Sequence, residues 1–215
     1  HDGKVRVAVI GGFEGDEPIG REIVVRLARH LIAGKSDNDD ETISALLSRT
    51  YIYLLPQVND DGWDHAVPGD CTGIQYNGQV WDTNFIDRED EGHLPSGVKL
   101  LKSFSAQNNI DVALNIEADG TVVRYPLNKK HCDSLGEKST ATEDDRTFEM
   151  LGRAYQHSQP TMQGPGQCGR DSAPWGLVHG ADWKQEAETL MDYVYFKQGT
   201  YMLAAHVSCC KYPEA

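Results

Sequence analysis

Acidic residues crowd one short segment near the start of the chain. The segment "GGFEGDEPIGREI" (residues 11–23) sets Glu14 and Glu17 three residues apart, with Asp16 between them. It follows an apolar run and leads into a helix-like stretch. Metallohydrolases hold metals with ligands spaced in this way, although their first ligand is usually a histidine. The segment is therefore a candidate metal site with an unusual donor set.

Strand-like and helix-like patterns alternate around this segment. Residues 5–10 are typical of a short buried strand, and after the acidic turn Pro18 suits the first turn of an amphipathic helix. Further strands are predicted within "YIYLLPQV", "IDVALNIEA", "GTVVRYP" and "YMLAAHVSCC", with helices around residues 43–47, 100–104 and 148–155. The alternation predicts an α/β fold with a mixed, mainly parallel central sheet and helices on both faces.

Four candidate functional residues lie at or near the predicted strand ends: Glu14, Glu17, Glu117 and His206. In an open parallel sheet, functional groups sit beyond the carboxyl ends of the strands. We therefore expect these four side chains at one edge of the sheet.

Composition limits the classes of protein. A chain of 215 residues suits one domain, and a net charge of -13 argues against a nucleic-acid partner. No apolar run is long enough to span a bilayer, so we expect no direct membrane insertion by this segment.

Five cysteines lack the spacing of a zinc site and favour disulfides instead. Cys132 and Cys168 lie in loop-like segments, and we predict a bridge between them. Cys209 and Cys210 should point to opposite faces of a strand, so we expect at most one of them to pair. Disulfides indicate a secretory compartment.

Several motifs occur in a familiar order: "GDEPIGREI", "LPQVNDDGW", "NGQVWDTNF", "ALNIEADGTVVRYP", "GLVHGADW" and "SCCKYP". Together they resemble the metallocarboxypeptidases (the M14 family), in the subfamily that includes carboxypeptidases D, E, M and N. The resemblance implies a zinc carboxypeptidase-like fold over residues 1–215 as a single domain. It also implies that this segment lacks the family's first strands, its final helix and its C-terminal β-sandwich module.

The resemblance implies a zinc site made by HxxE spacing and a second histidine, at positions that fall on Glu14, Glu17 and Glu117. Only Glu17 matches. Zinc prefers nitrogen or sulfur ligands with at most one or two carboxylates, so we expect no zinc and no other cofactor. Converging carboxylates need a counter-charge, and we expect the ammonium of Lys184 or a nearby donor to supply it. A Ca²⁺- or Mg²⁺-like ion is the alternative.

The family's catalytic and substrate-binding positions are also altered. The general base of the last strand falls on His206, and the substrate-capping tyrosine falls on Lys184. The Asn-Arg pair that grips a substrate carboxylate falls on Asp82 and Thr83, followed by Asn84, so a charge-assisted fork is lost. The resemblance therefore implies that these residues are the altered remains of a substrate-binding site.

Together these departures indicate a catalytically inactive carboxypeptidase-like domain, similar to the inactive domains of multi-domain members of this subfamily. We expect a protein or peptide ligand, or neighbouring domains of the same chain, as its partners. We expect the secretory pathway (trans-Golgi, cell surface or extracellular), with anchoring through other segments left open. The alternative is a hydrolase with a rebuilt carboxylate-rich metal site, in which Glu17 and Glu117 hold a hard cation and His206 is the base. A third alternative is that the domain acts only as a structural spacer.

Overall fold

A six-stranded sheet forms the centre of the protein in the computed structural model, which describes residues 3–36, 40–72, 96–132, 138–162, 168, 176–185 and 189–214. Its strands are β1 (Val5–Ile10), β2 (Thr50–Leu55), β3 (Val112–Glu117), β4 (Gly120–Tyr125), β7 (Leu177–His179) and β8 (Tyr201–Ser208). Two short strands, β5 (His131–Cys132) and β6 (Lys138–Ser139), pair separately. The helices are α1 (Pro18–Ser36), α2 (Glu41–Arg49), α3 (Asp60–Trp63), α4 (Ser96–Asn108), α5 (Asp145–Ser158), α6 (Gly180–Trp183) and α7 (Leu190–Gln198).

The strand order is β2-β1-β3-β8-β4-β7. Neighbouring strands run parallel except β4 and β8, which pair antiparallel. The predicted mixed, mainly parallel α/β sheet is therefore confirmed. Strand β8 is central, and burial on both faces explains its continuous apolar sequence.

Helices cover both faces of this sheet. On one face, α4 and α7 bury Leu101 and Val194 against Ala113 and Met202 of the strands. On the opposite face, α1 and α5 pack against alternate strand residues, which include Val9, Leu203 and Ala205. Each fully buried valine, leucine or methionine among these stabilises the fold by about 1.5–3 kcal/mol.

Local sequence signals set where several helices begin and end. The Asp40 carboxylate accepts hydrogen bonds from the backbone N–H groups of Thr42 and Ile43 and so caps α2. Gly199 has φ of 68° and ends α7 in the left-handed region. The "NDDGW" segment, predicted as a turn, forms the one-turn helix α3 because Asn59 caps it. Among the described helices, none is both long and apolar enough to cross a membrane.

Helix α1 approaches β3 unusually closely at Gly20. A Cβ atom at this position would lie 2.3 Å from the carbonyl oxygen of Ile116 and 3.2 Å from the Cα atom of Gly11. Only glycine fits this contact. The contact fixes the start of α1, and therefore Glu17, beside the carboxyl end of β3.

Candidate functional site

Strand register brings Glu117 and His206 together. The two residues are direct neighbours at the carboxyl ends of β3 and β8. His206 Nε2 lies 2.9 Å from Glu117 Oε2, and both side chains are buried. The contact is short, but its geometry is poor for a hydrogen bond.

Glu117 is held by further donors. The Asn115 side-chain amide donates to its Oε1 atom, and Arg124 Nη2 donates to Oε2 at 3.2 Å. Burial by itself would raise the pKa of Glu117. The charges of Arg124 and His206 outweigh burial and lower this pKa from 4.5 to about 2. Glu117 is therefore an ionised, internally paired carboxylate.

Both ring nitrogens of His206 face acceptors. Its Nδ1 atom donates to the carbonyl oxygen of Ala118, while Nε2 faces the Glu117 carboxylate. The Trp183 ring packs against the His206 ring in a T-shaped contact, with centroids 4.7 Å apart. This packing closes one side of the pair.

A second group of carboxylates lies nearby, and we call it the acidic cluster: Glu14, Asp16 and Glu17. Each offers one oxygen, and these atoms lie within 4.8 Å of one another. The Nζ atom of Lys211 lies 3.0 Å from a Glu14 oxygen, 3.4 Å from Asp16 and 3.2 Å from Glu17. One ammonium therefore contacts all three carboxylates.

The charges in the acidic cluster are strongly coupled. Burial and then the Glu14 carboxylate raise the pKa of Glu17 well above its ordinary value. Burial disfavours the charged form of Lys211, but Glu14 and Glu17 outweigh burial and raise its pKa. Glu17 also accepts a hydrogen bond of 2.6 Å from the backbone N–H of Ala118, which joins the cluster to the end of β3.

Parallel strands explain why Lys211 reaches the cluster. Strands β1, β3 and β8 run in one direction, so their carboxyl ends share an edge of the sheet. Lys211 follows the end of β8, and Glu14 follows the end of β1. Sequence reasoning missed Lys211, although a lysine just beyond the last strand was a usable signal.

One sequence-based expectation about a neighbour of the site is wrong. Lys184 does not supply the expected counter-charge: its ammonium pairs with Asp119 and lies 4.7 Å from the centre of the Trp183 ring. The one-turn helix α6, which ends just before Lys184, directs the lysine side chain toward Asp119. Asp82, Thr83 and Asn84 lie outside the described residues.

The predicted disulfide is also wrong. Cys168 is bonded to Cys209 rather than to Cys132, and Cys71 is bonded to Cys210. Both tandem cysteines pair because they lie beyond the end of β8, where the alternation of a strand no longer applies. Each bridge joins the end of β8 to a distant segment.

The acidic cluster is the part of the described chain whose donors suit a cation. Zinc accepts carboxylate oxygens at about 2.0–2.2 Å, although it binds histidine and cysteine more commonly. The Lys211 ammonium shows that a cation fits among the three carboxylates. Glu117 is not in this group, since Arg124 and His206 contact its Oε2 atom and Asn115 donates to its Oε1 atom.

Known proteins similar to this chain include carboxypeptidase D. Carboxypeptidase D from Rattus norvegicus is 31% identical over 237 residues, which cover 99% of this chain and 17% of that protein. Carboxypeptidase M from Mus musculus is 26% identical and matches 95% of this chain and 48% of its own length. The chain therefore spans less than a fifth of the first relative and about half of the second.

Solved structures show the same fold. Thrombin activatable fibrinolysis inhibitor superposes with a TM-score of 0.66 at 14% identity, covering 94% of this chain and 54% of that chain. Carboxypeptidase A from Helicoverpa armigera gives a TM-score of 0.66 at 11% identity, with 96% and 53% covered. The predicted zinc carboxypeptidase-like fold is confirmed.

A family model described as zinc carboxypeptidase matches residues 1–215. Members of this family use zinc, so the expectation of a domain without any cofactor is wrong. The altered donors suggested that expectation, but an acidic cluster does not by itself decide whether a metal binds. The resemblance drawn from the sequence motifs is confirmed, and the chain belongs to the zinc carboxypeptidase family, peptidase M14.

Proposed function

We propose that this chain is a carboxypeptidase-like domain that does not hydrolyse peptides and instead holds a protein or peptide ligand. The observation that carries this proposal is the set of contacts around the His206 ring. This residue lies where the family resemblance puts the general base. A general base needs a free lone pair directed at the proton that it removes. Both nitrogens of His206 face acceptors, and Trp183 packs on its ring.

The paired state of Glu117 supports the same proposal. Family resemblance puts a zinc ligand at this position, but Arg124 and His206 bind the carboxylate here. Parts of an active site that work as a unit lose orders of magnitude in rate when any one is lost. The altered general-base position, His206, and the altered zinc-ligand position, Glu117, therefore together favour a domain without peptidase activity.

Charge and disulfides favour a class of ligand and a location. A net charge of -13 favours basic partners, so we infer a basic peptide or a basic surface of a neighbouring domain. Two disulfides suit an oxidising compartment. We infer a role in the secretory pathway, as one domain of a multi-domain carboxypeptidase.

Peptidase activity is tested directly with purified protein, excess zinc and peptides that end in lysine or arginine. We expect release of the terminal residue to stay at the uncatalysed background, with an active carboxypeptidase as the positive control. Zinc-dependent release that disappears in a Glu17→Ala variant would overturn the proposal.

Ligand binding is tested with a lysine- and arginine-rich peptide and an acidic peptide of equal length. Fluorescence anisotropy should show binding of the basic peptide that weakens as salt rises, and no binding of the acidic one. Equal binding of both peptides, or of neither, would contradict the inferred ligand class.

A hydrolase with a rebuilt carboxylate-rich metal site is the second candidate. The observation that favours it is the acidic cluster of Glu14, Asp16 and Glu17 in a chain that belongs to a zinc family. Zinc, when bound, polarises a carbonyl group and lowers the pKa of a bound water. The same peptide assay separates the two candidates, because only the hydrolase gives zinc-dependent release.

A further inference from the structure

We propose that the disulfide between Cys71 and Cys210 is a redox-sensitive clasp for Lys211. While the bridge is closed, the Lys211 ammonium stays in contact with the acidic cluster. When a dithiol reductant opens the bridge, the ammonium leaves and the cluster loses its counter-charge. The fold thereby couples the redox state of one disulfide to the charge at this edge of the sheet.

Lys211 lies between two ties to one distant segment. Cys210, the residue before it, is bonded to Cys71. Tyr212, the residue after it, makes two backbone hydrogen bonds of 2.8 and 3.1 Å with residues 69–70. The disulfide and these hydrogen bonds therefore hold the backbone of Lys211 against that segment.

The ion pairs of Lys211 depend on this backbone position. Two of its three partners, Glu14 and Asp16, have side chains that are 36% and 19% exposed. Ion pairs in contact with water are weak, and holding a long lysine side chain in one conformation costs entropy. The covalent tie keeps the ammonium close to its partners and so raises its effective concentration there. Loss of the tie should therefore release it.

The bridge is accessible to reagents at its Cys71 end. Cys71 and the next residue, Thr72, are exposed, whereas Cys210 is half-buried. Cys71 lies outside the described helices and strands, so a reagent reaches it without disrupting the sheet. Because the rate of thiol–disulfide exchange depends on access to the sulfur, a soluble dithiol should attack at Cys71.

The exchange is balanced in atoms and electrons. One thiolate of the dithiol bonds to Cys71 Sγ, which breaks the bond to Cys210 Sγ and releases Cys210 as a thiolate. The second thiolate of the dithiol attacks the mixed disulfide, releases Cys71 and closes the reductant into a cyclic disulfide. Two electrons pass from the dithiol to the bridge, and the two cysteines take up the two protons that the dithiol gives up.

Lysine labelling of two matched variants tests the clasp. Cys71→Ser with Cys210→Ser removes the clasp and keeps the other bridge, whereas Cys168→Ser with Cys209→Ser does the reverse. Reductive methylation, read by mass spectrometry, should modify Lys211 about tenfold faster in the first variant than in wild type, because the tether is gone. The second variant should match wild type. Unchanged Lys211 reactivity in the first variant, or an equal gain in both, would overturn the proposal.

Wild-type protein gives a second test that does not depend on folding of a variant. The native protein is treated with dithiothreitol, and cysteine alkylation and lysine methylation are mapped together. Methylation of Lys211 should rise in step with alkylation of Cys71. Lys130, which pairs with Asp182, is the internal reference and should react at a constant rate.

Two results of this treatment would refute the clasp. One is resistance of Cys71 to reduction in the native protein, and the other is alkylation of Cys71 without faster methylation of Lys211. Neither readout involves peptide hydrolysis or ligand binding, so the result is independent of the proposed function.

Discussion

Two buried glutamates of this site tolerate burial in different ways. Glu117 stays ionised because Arg124 and His206 supply charge, and its pKa falls to about 2. Glu17 has a raised pKa, because burial and the Glu14 carboxylate oppose its charge more than Lys211 supports it. The chain thus combines a fully paired carboxylate with one that is only partly compensated.

Removing the partner of Glu117 should be costly. We expect Arg124→Met to destabilise the fold by about 3–5 kcal/mol at pH 7, because it leaves a buried carboxylate with only His206 as a charged partner. Arg153→Met, which breaks an exposed pair with Glu149, should change stability by about 0.5 kcal/mol or less. Urea denaturation measures both changes.

The cost of Arg124→Met should depend on pH. A carboxyl whose folded pKa is lowered contributes stability that is present above its unfolded pKa and is lost as the pH falls through the folded pKa. For Glu117 this window runs from 4.5 down to about 2. The difference between wild type and variant should therefore be full above pH 4.5 and shrink below it. A difference that grows on acidification would show that Arg124 acts through packing instead.

At the scale of elements, the site depends on how α1 meets the sheet. Glu17 immediately precedes α1, and its carboxylate reaches the N–H of Ala118 only because Gly20 lets the helix approach the carbonyl of Ile116. The strands β1, β3 and β8 then place their carboxyl ends at one edge. One glycine contact and a parallel register therefore position both carboxylate groups.

A side chain at Gly20 should separate these elements. We expect Gly20→Ala to cost about 1–3 kcal/mol, because its Cβ would lie 2.3 Å from a backbone oxygen that cannot move alone. Gly34→Ala on the same helix is the matched control. Its Cβ would meet the terminal methyl of Ile43, which can rotate away, and alanine favours the helix. Thermal unfolding of both variants should show the larger loss for Gly20→Ala; equal losses would contradict this account.

At the scale of the whole molecule, net charge and cross-links act against each other. A charge of -13 disfavours the compact state through self-repulsion. The two disulfides join residues that are 139 and 41 positions apart in the sequence, and each includes one of the tandem cysteines, Cys209 and Cys210. Such bridges restrict the unfolded chain. In the usual chain-entropy treatment such bridges stabilise a fold by about 4–5 kcal/mol each.

Salt should therefore stabilise this protein. Raising sodium chloride from about 0.02 to 0.3 M shortens the screening length to below about 10 Å and weakens repulsion between surface carboxylates. The buried pair of Glu117 and Arg124 is screened much less. We expect the midpoint of thermal unfolding to rise, as read by circular dichroism. A midpoint that falls with salt would mean that surface ion pairs outweigh the net repulsion.

Local sequence patterns were sufficient to predict the fold and the family. Alternation of strand and helix patterns predicted a mainly parallel sheet, and motifs such as "GDEPIGREI" and "ALNIEADGTVVRYP" predicted the zinc carboxypeptidase family. They also predicted that Glu14, Glu17, Glu117 and His206 meet at one edge, since strand ends are visible as local patterns. These features depend on residues that are close in sequence.

The partners of the buried charges could not be predicted from local patterns, because they depend on the three-dimensional path of the chain. Lys211, and not Lys184, reaches the acidic cluster, although 197 residues separate it from Glu14. Cys168 pairs with Cys209, and the path of the chain beyond β8 sets that choice. Local patterns fix neither contact, because each depends on strand order and on where the segment after a strand turns. A single ammonium placed by that turn contacts three carboxylates that the sequence could only show to be crowded.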